Sequence, residues 1–496
     1  MSQFNVPLII RGNIIEDYSL EFGGRKGAAS FKTPDARKYL KQLTACPMDS
    51  MAAYQNTKIS DIAHFLNELG KMLNIDSNPY LRQAFALSCH TSGISNSILE
   101  SLYRNAGSHL FSYDHVMEYV ENRIGVDYLE GWVPTTMRDG TIASIRGFGA
   151  KAVHVIAGNT PGVAFNTVMR SAITRSDCIT KMPSNDPLTF TAILRTMIDL
   201  DPNHVVTKHM SGAYWKGGDE TLEGRLYRPE NVEKIVAWGG FDSIKHITQY
   251  LQPGLDLITM DPKHSRSVIG REALQDDATM RQVAVRAACD MGAYNQELCA
   301  NARMIYIECD YDDPEQLAKL NTFGRYVYDA LKTLPSYLST EAKYVDPSLK
   351  EELDGMFMLE DWYHLYRDSD TSGAVVVSQT DEPVPFANGL ACRTSNIVPL
   401  KTMDDIINRI NSATQTVGVY PQALKERIAD QLAMRGAQII VSLGYVARIN
   451  SSGPMDGIEP ERRMLKWLTC QTQDETVPGP WVDLTAGDAE LSFAVE

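Results

Sequence analysis

Positive charge is in short supply in this 496-residue chain: Lys and Arg number 47 against 62 Asp and Glu, a net charge of −15. Nucleic acid and anionic membranes both bind through basic surfaces, so neither is expected as a main partner. A phosphate-bearing ligand would have to rely on local lysines, arginines or helix N-termini. Long apolar runs are missing too, and no stretch is long enough to span a bilayer. The opening MSQFNVPLIIRGNIIEDY lacks a charged stretch followed by an apolar core and a small-residue cleavage site, so a cytoplasmic protein is expected. The eight cysteines form no CxxC pair and do not cluster with histidine, which predicts reduced thiols and no zinc site. GxSxG does not occur, which leaves Ser/His/Asp hydrolase chemistry unsupported. GxGxxG does not occur either, so the ordinary dinucleotide fingerprint is absent.

What the chain does have is alternation. Residues 1–125 open with a short apolar strand, VPLII, and then turn helical. In ISDIAHFLNELGKMLN the apolar residues Ile59, Ile62, Phe65, Leu66 and Leu69 recur at helical spacing. KAVHVIAGN reads as a buried strand ending in the turn GNTPG, with the helical VAFNTVMRSAIT after it. The strand DCITKMP and the helix DPLTFTAILRTMIDL follow, with Asp186 as N-cap and Pro187 at the first helical position. Then come the strand EKIVAWGG and the helix DSIKHITQYL, with Asp242 as its cap. Such repeats predict a parallel sheet with crossover helices. Ligands of these sheets sit at the carboxyl ends of the strands, here AGNTPG, KMPSNDP and WGGFDS. Before this run, MRDGTIASIRGFGA is a hairpin candidate around Asp139-Gly140. After it, LDLITM and SRSVIG read as strands, and the helix ATMRQVAVRAACDMGA delivers the chain to Cys299. The strand MIYIEC opens a second alternation that runs to AQIIVSLG. Two α/β units joined near 262 are expected, with a less regular tail after 446 in which ERRMLKWLT is a helical patch.

Cys299 lies in YNQELCANARMIYIE. A free cysteine is ordinarily an inert buried residue. Here it falls in a polar loop between a long helix and a strand, where a thiol can be reached. Its neighbours Asn295, Gln296 and Asn301 are polar but uncharged, which is no metal cage. Asn159 taken alone is a turn asparagine beside Gly and Pro; at the end of a central strand it is also an amide donor for a developing oxyanion. Lys181 closes a strand, and is either solvated or a point charge for a ribose or phosphate group. Gly239-Gly240 before a helix suits a pyrophosphate at the helix N-terminus, although a Gly-Gly pair by itself is a weak sign. His154 and His264 receive no role.

Taken in chain order, IAGNTP, ITKMPSNDP, WGGFDS and NQELCANAR resemble the aldehyde dehydrogenase superfamily. Within it, VHVIAGNTPG, CITKMPSNDPLT, IDLDPNHVVTKHMSGAYW, VAWGGFDSI and GPMDGIEPERRML resemble the LuxC-type acyl-CoA reductases over roughly 130–475. The resemblance implies an aldehyde dehydrogenase-like α/β fold of two related parallel-sheet domains plus a small oligomerisation element. Residues 1–125 would be the helical part of the cofactor domain and 126–150 an oligomerisation hairpin. The nucleotide-binding core would take 151–262, the catalytic domain 263–445 and an oligomerisation tail 446–496. The implied activity is reduction of a fatty acyl thioester, on CoA or a protein, to the aldehyde with NADPH, in a homo-oligomer with a possible acyl-protein synthetase partner. Cys299 would attack the thioester, and Asn159 with the Cys299 N–H would hold the oxyanion. Lys181 and Ser184 would lie at the adenosine ribose, and Gly239, Gly240 and Ser243 under the pyrophosphate.

One departure bears on the chemistry. Hydrolytic members carry a general-base glutamate in ELGGK, where this chain reads LITMDPKHS. Matching Lys-Ser to His264-Ser265 puts Met260 at the glutamate position, with Asp261 one residue off. Without a carboxylate there, water is not activated and thioester reduction is favoured. In PFANGLACRT, Asn388 stands where the resemblance implies a second ribose-binding acid. The competing expectations are an aldehyde dehydrogenase, which a carboxylate beside Cys299 would support, and an acyl-binding scaffold subunit, which an intact Cys299/Asn159 pair argues against.

Overall fold

Strands such as Lys151–Val155, Ala374–Ser378 and Thr394–Leu400 are buried along almost their whole length. A strand apolar on both faces must lie inside a parallel sheet covered by helices on each side. The computed structural model, which describes residues 3–23, 29–46, 48–138, 141–448 and 453–472, contains two such sheets. The Asp139-Gly140 turn lies outside the described residues, but the strands flanking it, Val133–Thr136 and Ile142–Phe148, pair antiparallel.

The first sheet runs in the order Asp256–Met260, Lys234–Trp238, Lys151–Val155, Asp177–Lys181, Met210–Ala213, Leu8–Ile10, Asn13–Ile15. The five strands from the middle of the chain are parallel, and the two N-terminal ones add antiparallel. The chain lays down Lys151–Val155 first and steps one way to Met210–Ala213. It then returns to the opposite side with Lys234–Trp238. Loops at such a reversal part in opposite directions and open a crevice at the strands' carboxyl ends. The loops carrying Asn159 and Gly239 flank that reversal. Helices Gly162–Ile173 and Thr189–Leu200 cover the sheet and share one apolar core with the N-terminal helices Ile59–Met72, Pro79–Thr91, Asn96–Leu110 and Tyr113–Arg123.

The second sheet has the order Tyr363–Tyr366, Ala374–Ser378, Thr394–Leu400, Ala302–Glu308, His264–Ile269, Thr414–Tyr420, Ile439–Ser442. It is parallel except for its Tyr363–Tyr366 edge. A third, antiparallel sheet joins Val133–Thr136 and Ile142–Phe148 to Lys466–Thr472.

Several expectations are corrected. The KWLT half of ERRMLKWLT is strand: the helix stops at Met464, and Lys466–Thr472 pairs along Ile142–Phe148. The helix after Asp186-Pro187 begins at Thr189, and Asp186 accepts from the Thr189 N–H at 3.2 Å and its hydroxyl at 2.5 Å. Gly240, not Asp242, is the N-cap of Phe241–Thr248. Among the described residues of 1–33 there are five short strands rather than one.

The segment 453–465 is tied to the first sheet's helices by a buried charge cluster. Arg170 Nε lies 2.9 Å and Arg123 Nη1 3.4 Å from the Glu461 carboxylate, and the Tyr119 hydroxyl donates to it at 2.6 Å. Burial alone would raise the Glu461 carboxyl, but the two guanidiniums hold it below its ordinary range. Removing one member would leave an uncompensated buried charge, at a cost of about 3–5 kcal/mol.

Candidate active site

Helix Asp277–Gly292 ends at a turn in which Tyr294, Asn295 and Gln296 have φ of 51°, 55° and 65°. Consecutive non-glycine residues in the left-handed region cost roughly 1–3 kcal/mol each and persist only where the surroundings fix them. Here the fixing is done by buried amides. Gln296 Nε2 donates to the Ala302 and Thr394 carbonyls at 3.2 and 2.9 Å, and its Oε1 accepts from Thr394 N at 3.0 Å. Asn295 Oδ1 accepts from Thr340 N at 2.9 Å. Asn301 Nδ2 donates to the Asp290 and Ala293 carbonyls, and its Oδ1 accepts from Leu298 N at 3.0 Å. The polar neighbours of Cys299 are thus the struts of its loop. Ser265 adds one more, donating to the Cys299 carbonyl at 2.9 Å while accepting from Thr416 N at 3.0 Å.

Asn159 reaches this loop from the other sheet. Its Nδ2 donates to the Glu297 carbonyl at 3.1 Å, two residues before Cys299. Its Oδ1 is buried without a hydrogen-bond partner among the described residues. Gly158 fits because a Cβ there would stand 2.3 Å from Asn185 Oδ1, and Asn185 Nδ2 donates to the Gly158 carbonyl at 2.7 Å. A cavity of about 300 Å³ opens beside Asn159 and Glu297, walled by Cys89, Gly93 and Tyr344.

Cys299 is a free cysteine exposed to solvent. Burial pushes its thiol up from the ordinary range, and the Asp456 carboxylate raises it further. The Gln415 side chain and the Cys299 and Ala300 backbone N–H groups act the other way, favouring the thiolate. Arg303 lies close enough to feel the thiolate. Met260 is buried, Asp261 is exposed, and the carboxylate acting on Cys299 is Asp456, from the C-terminal segment. That carboxylate comes from outside the LITMDPKHS stretch, in which Met260 holds the position of the family's glutamate. The DG pair in GPMDGIEP carried the only sequence signal, and it reads as a turn. Asn388 is exposed, in the short turn Ala387–Gly389. His264, beside Arg303 and Arg266, is depressed to about 4 by burial and by those two cations.

The remaining sequence candidates line the carboxyl edge of the first sheet. Lys181 is half-buried at the end of Asp177–Lys181, with Nζ 5.8 Å from the centre of the Trp215 ring. Burial lowers its ammonium, and it makes no ion pair among the described residues. Such a cation suits a phosphate. Ser184 follows it, half-buried. A cavity of about 510 Å³ adjoins this edge, walled by Phe22, Tyr214, Trp215, Gly218 and Leu222. Gly240 opens the Phe241–Thr248 helix with empty space where a Cβ would stand, while a Cβ on Gly239 would come 3.1 Å from the Ser243 side chain. Backbone N–H groups at an open helix start suit a pyrophosphate, against which the exposed first-turn Asp242 adds one negative charge. Cys46, Asp177 and His209 also come within metal-ligand reach of one another. Arg11 takes both Asp177 oxygens, at 3.0 and 2.6 Å, so that cluster is built as an ion pair.

No helix among the described residues is long and apolar enough to cross a membrane. A family model described as acyl-CoA reductase (LuxC) matches residues 54–467. The chain is 24% identical over 472 residues to a long-chain acyl-protein thioester reductase of Vibrio harveyi, covering 94% of this chain and 93% of that one. A protein of the same name from Photorhabdus laumondii is 26% identical over 370 residues, 73% of this chain and 71% of that one. Among solved structures, lactaldehyde dehydrogenase from Escherichia coli superposes with a TM-score of 0.70 at 10% identity, covering 95% of this chain and all of that one. NADP-dependent glyceraldehyde-3-phosphate dehydrogenase from Bacillus halodurans gives 0.70 at 12%, covering 95% and 99%. The fold is that of the aldehyde dehydrogenases.

Proposed function

The chain belongs to the LuxC family of acyl-CoA reductases, and on that premise we propose that it reduces a fatty acyl thioester to the aldehyde through an acyl-Cys299 intermediate. The observation that carries this reading is the approach of the Asn159 amide to the Cys299 loop, 3.1 Å from the Glu297 carbonyl. Cys299 Sγ attacks the thioester carbonyl and the carrier thiol leaves. The Asn159 amide, freed from Glu297 by a small side-chain rotation, and the Cys299 N–H share the negative charge on the carbonyl oxygen. The rigid turn fixes the sulfur before substrate arrives, so little reorganisation is left for the reaction itself.

We assign NADPH as the reductant. Lys181 and Ser184 would hold its ribose phosphate, Gly239, Gly240 and Ser243 its pyrophosphate, and the cavity beside Trp215 its adenine. When bound, it supplies the hydride that reduces the acyl-cysteine. Nearby, the chain's own groups keep the thiohemiacetal oxygen charged until the C–S bond breaks and the aldehyde departs. The donor is an acyl-CoA or an acyl-protein, the latter being what the relatives' names state. An acyl-protein synthetase partner and a homo-oligomer built on the sheet of Val133–Thr136, Ile142–Phe148 and Lys466–Thr472 complete the reading. Eight free cysteines support a cytoplasmic location.

A second reading, oxidation of aldehyde to acid, has in its favour that the Asp456 charge reaches Cys299, since a carboxylate near the thiol can activate water. Protein, a long-chain acyl-CoA and NADPH are mixed, absorbance loss at the nicotinamide band is followed, and products are separated. Aldehyde is expected. Fatty acid without NADPH consumption would establish hydrolysis instead and sink the reductase reading.

A further inference from the structure

The turn that carries Asn159 leaves its sheet before it reaches the site. Ile156 N still donates to the Lys181 carbonyl, at 3.3 Å. Beyond that, no backbone–backbone hydrogen bond holds Ala157, Gly158 or Asn159 among the described residues. A side chain takes over. Asn185 Nδ2 donates to the Gly158 carbonyl at 2.7 Å. That carbonyl belongs to the rigid peptide plane that ends at the Asn159 Cα. Holding its oxygen restrains the point from which the Asn159 side chain starts. The fit is close, since a Cβ on Gly158 would come 2.3 Å from Asn185 Oδ1 and 2.8 Å from Pro183 Cγ. Asn185 is 8% exposed and is held in its turn. Its carbonyl accepts from the Thr91 hydroxyl at 2.6 Å. The next residue, Asp186, accepts from the Thr189 hydroxyl, which pairs with the Tyr103 hydroxyl, and that one with Ser88. Ser88 and Thr91 both belong to helix Pro79–Thr91. The end of one helix therefore grips the loop of Asn185 at two points. Thr91, Asn185 and Asn159 all border the cavity of about 300 Å³ beside Glu297.

We propose that Asn185, braced by Thr91, is a positioning residue that aims the Asn159 amide at the acyl carbonyl oxygen. This rests on the oxyanion role given to Asn159 under the acyl-Cys299 reading. Asn185 itself touches neither substrate nor sulfur, and no proton or electron passes through it. Its contribution is geometric. To reach the oxyanion, the Asn159 amide exchanges the Glu297 carbonyl, 3.1 Å away in the resting protein, for the thioester oxygen. With the Gly158 carbonyl held, that exchange is a rotation about side-chain bonds alone. With the carbonyl released, the turn itself can swing, and the donor points elsewhere for part of the time. A misplacement of about 1 Å can slow a reaction roughly 100-fold. The small turn AGN therefore depends for its aim on a residue of the neighbouring strand's loop, which in turn depends on the end of an N-terminal helix.

The test uses Asn185→Leu in the full-length protein, which removes the donor at similar volume and adds no charge. Single-turnover acylation of Cys299 is followed by rapid quench and peptide mapping over a range of palmitoyl-CoA concentrations. The maximal rate should fall about 10–100-fold, with the half-saturating concentration unchanged and alkylation of Cys299 by iodoacetamide as fast as in the wild type. Unchanged acylation overturns the assignment. So does an equal fall in alkylation, which would mean that the cysteine loop is disturbed as a whole. The decisive comparison is made in Asn159→Ala. Groups that act through one another are not additive, so adding Asn185→Leu there should slow acylation by no more than about twofold. The full effect in that background overturns the assignment. Thr91→Val is the second variant, should Asn185→Leu fail to fold, because it keeps the Asn185 amide and removes only its brace. It should slow acylation several-fold where Asn159 is present and leave the rate of Asn159→Ala unchanged; no slowing in either background, or equal slowing in both, overturns the assignment. If Asn159→Ala acylates normally, or the wild type forms no adduct on Cys299, the parent reading is refuted and the assignment falls with it, which separates the two failures.

Discussion

Asn159→Ala removes one side-chain donor and little else. The Asn159 amide makes one hydrogen bond in the resting protein, to the Glu297 carbonyl at 3.1 Å, at an exposed edge of the loop. Water can replace that partner, so the fold should lose no more than about 1 kcal/mol. The turn at 294–296 keeps its own struts, because Gln296, Asn295 and Asn301 bond elsewhere. In the transition state the same amide would face a full negative charge on the carbonyl oxygen. Loss of one such donor costs about 2.7–4 kcal/mol, or roughly 10²–10³ in rate. Single-turnover acylation by palmitoyl-CoA should slow by that factor, with the melting temperature almost unchanged and iodoacetamide reactivity of Cys299 retained. Acylation within threefold of wild type would refute the oxyanion role. A large drop in melting temperature would show that the Glu297 contact, and not the chemistry, is what Asn159 provides.

Two further expectations follow from the geometry. Lys181→Met should raise KM for NADPH roughly tenfold while leaving KM for NADH nearly unchanged, as expected when one charge-assisted contact to a phosphate is lost; equal effects on both cofactors would remove Lys181 from phosphate binding. Asp290 is buried in helix Asp277–Gly292 and accepts from Val446 N at 3.1 Å, and burial raises its carboxyl to about 7. A carboxyl raised on folding stays protonated in the native state while the unfolded chain ionises. Its contribution is therefore intact below about pH 4 and is lost as pH rises toward 7. Asp290→Asn should flatten that slope in urea unfolding measured from pH 4 to 8, and an unaltered slope would contradict it.

Much of the fold is legible in the sequence because burial on two faces leaves a strong trace. KAVHV, DCITK and KIVAW are apolar along their length, and the turns after them are marked by Gly, Pro and Asn. Met210–Ala213 left no such trace. MSGA is short and small, and it is a strand only because Asp177–Lys181 pairs with it on one side and Leu8–Ile10 on the other. Lys466–Thr472 was hidden in the same way, since its partner Ile142–Phe148 lies far away in the chain. In the candidate site, Cys299 and Asn159 could be nominated from the sequence because each closes or precedes a regular element at a recognisable turn. The amides of Asn295, Gln296 and Asn301 were visible, but their work as struts was not, because it depends on backbone carbonyls from remote strands. Asp456 was the hardest to read. Nothing local distinguishes an exposed turn aspartate from a buried one, and only the packing of Gln415 and Arg170 against the turn makes the difference.

The acyl-cysteine claim is tested most directly by incubating the protein with palmitoyl-CoA alone and mapping the adduct by peptide mass. One palmitoyl group should appear on the peptide containing Cys299, vanish as aldehyde on addition of NADPH, and be absent from Cys299→Ala. An adduct on another cysteine, or aldehyde formed by Cys299→Ala, would contradict it.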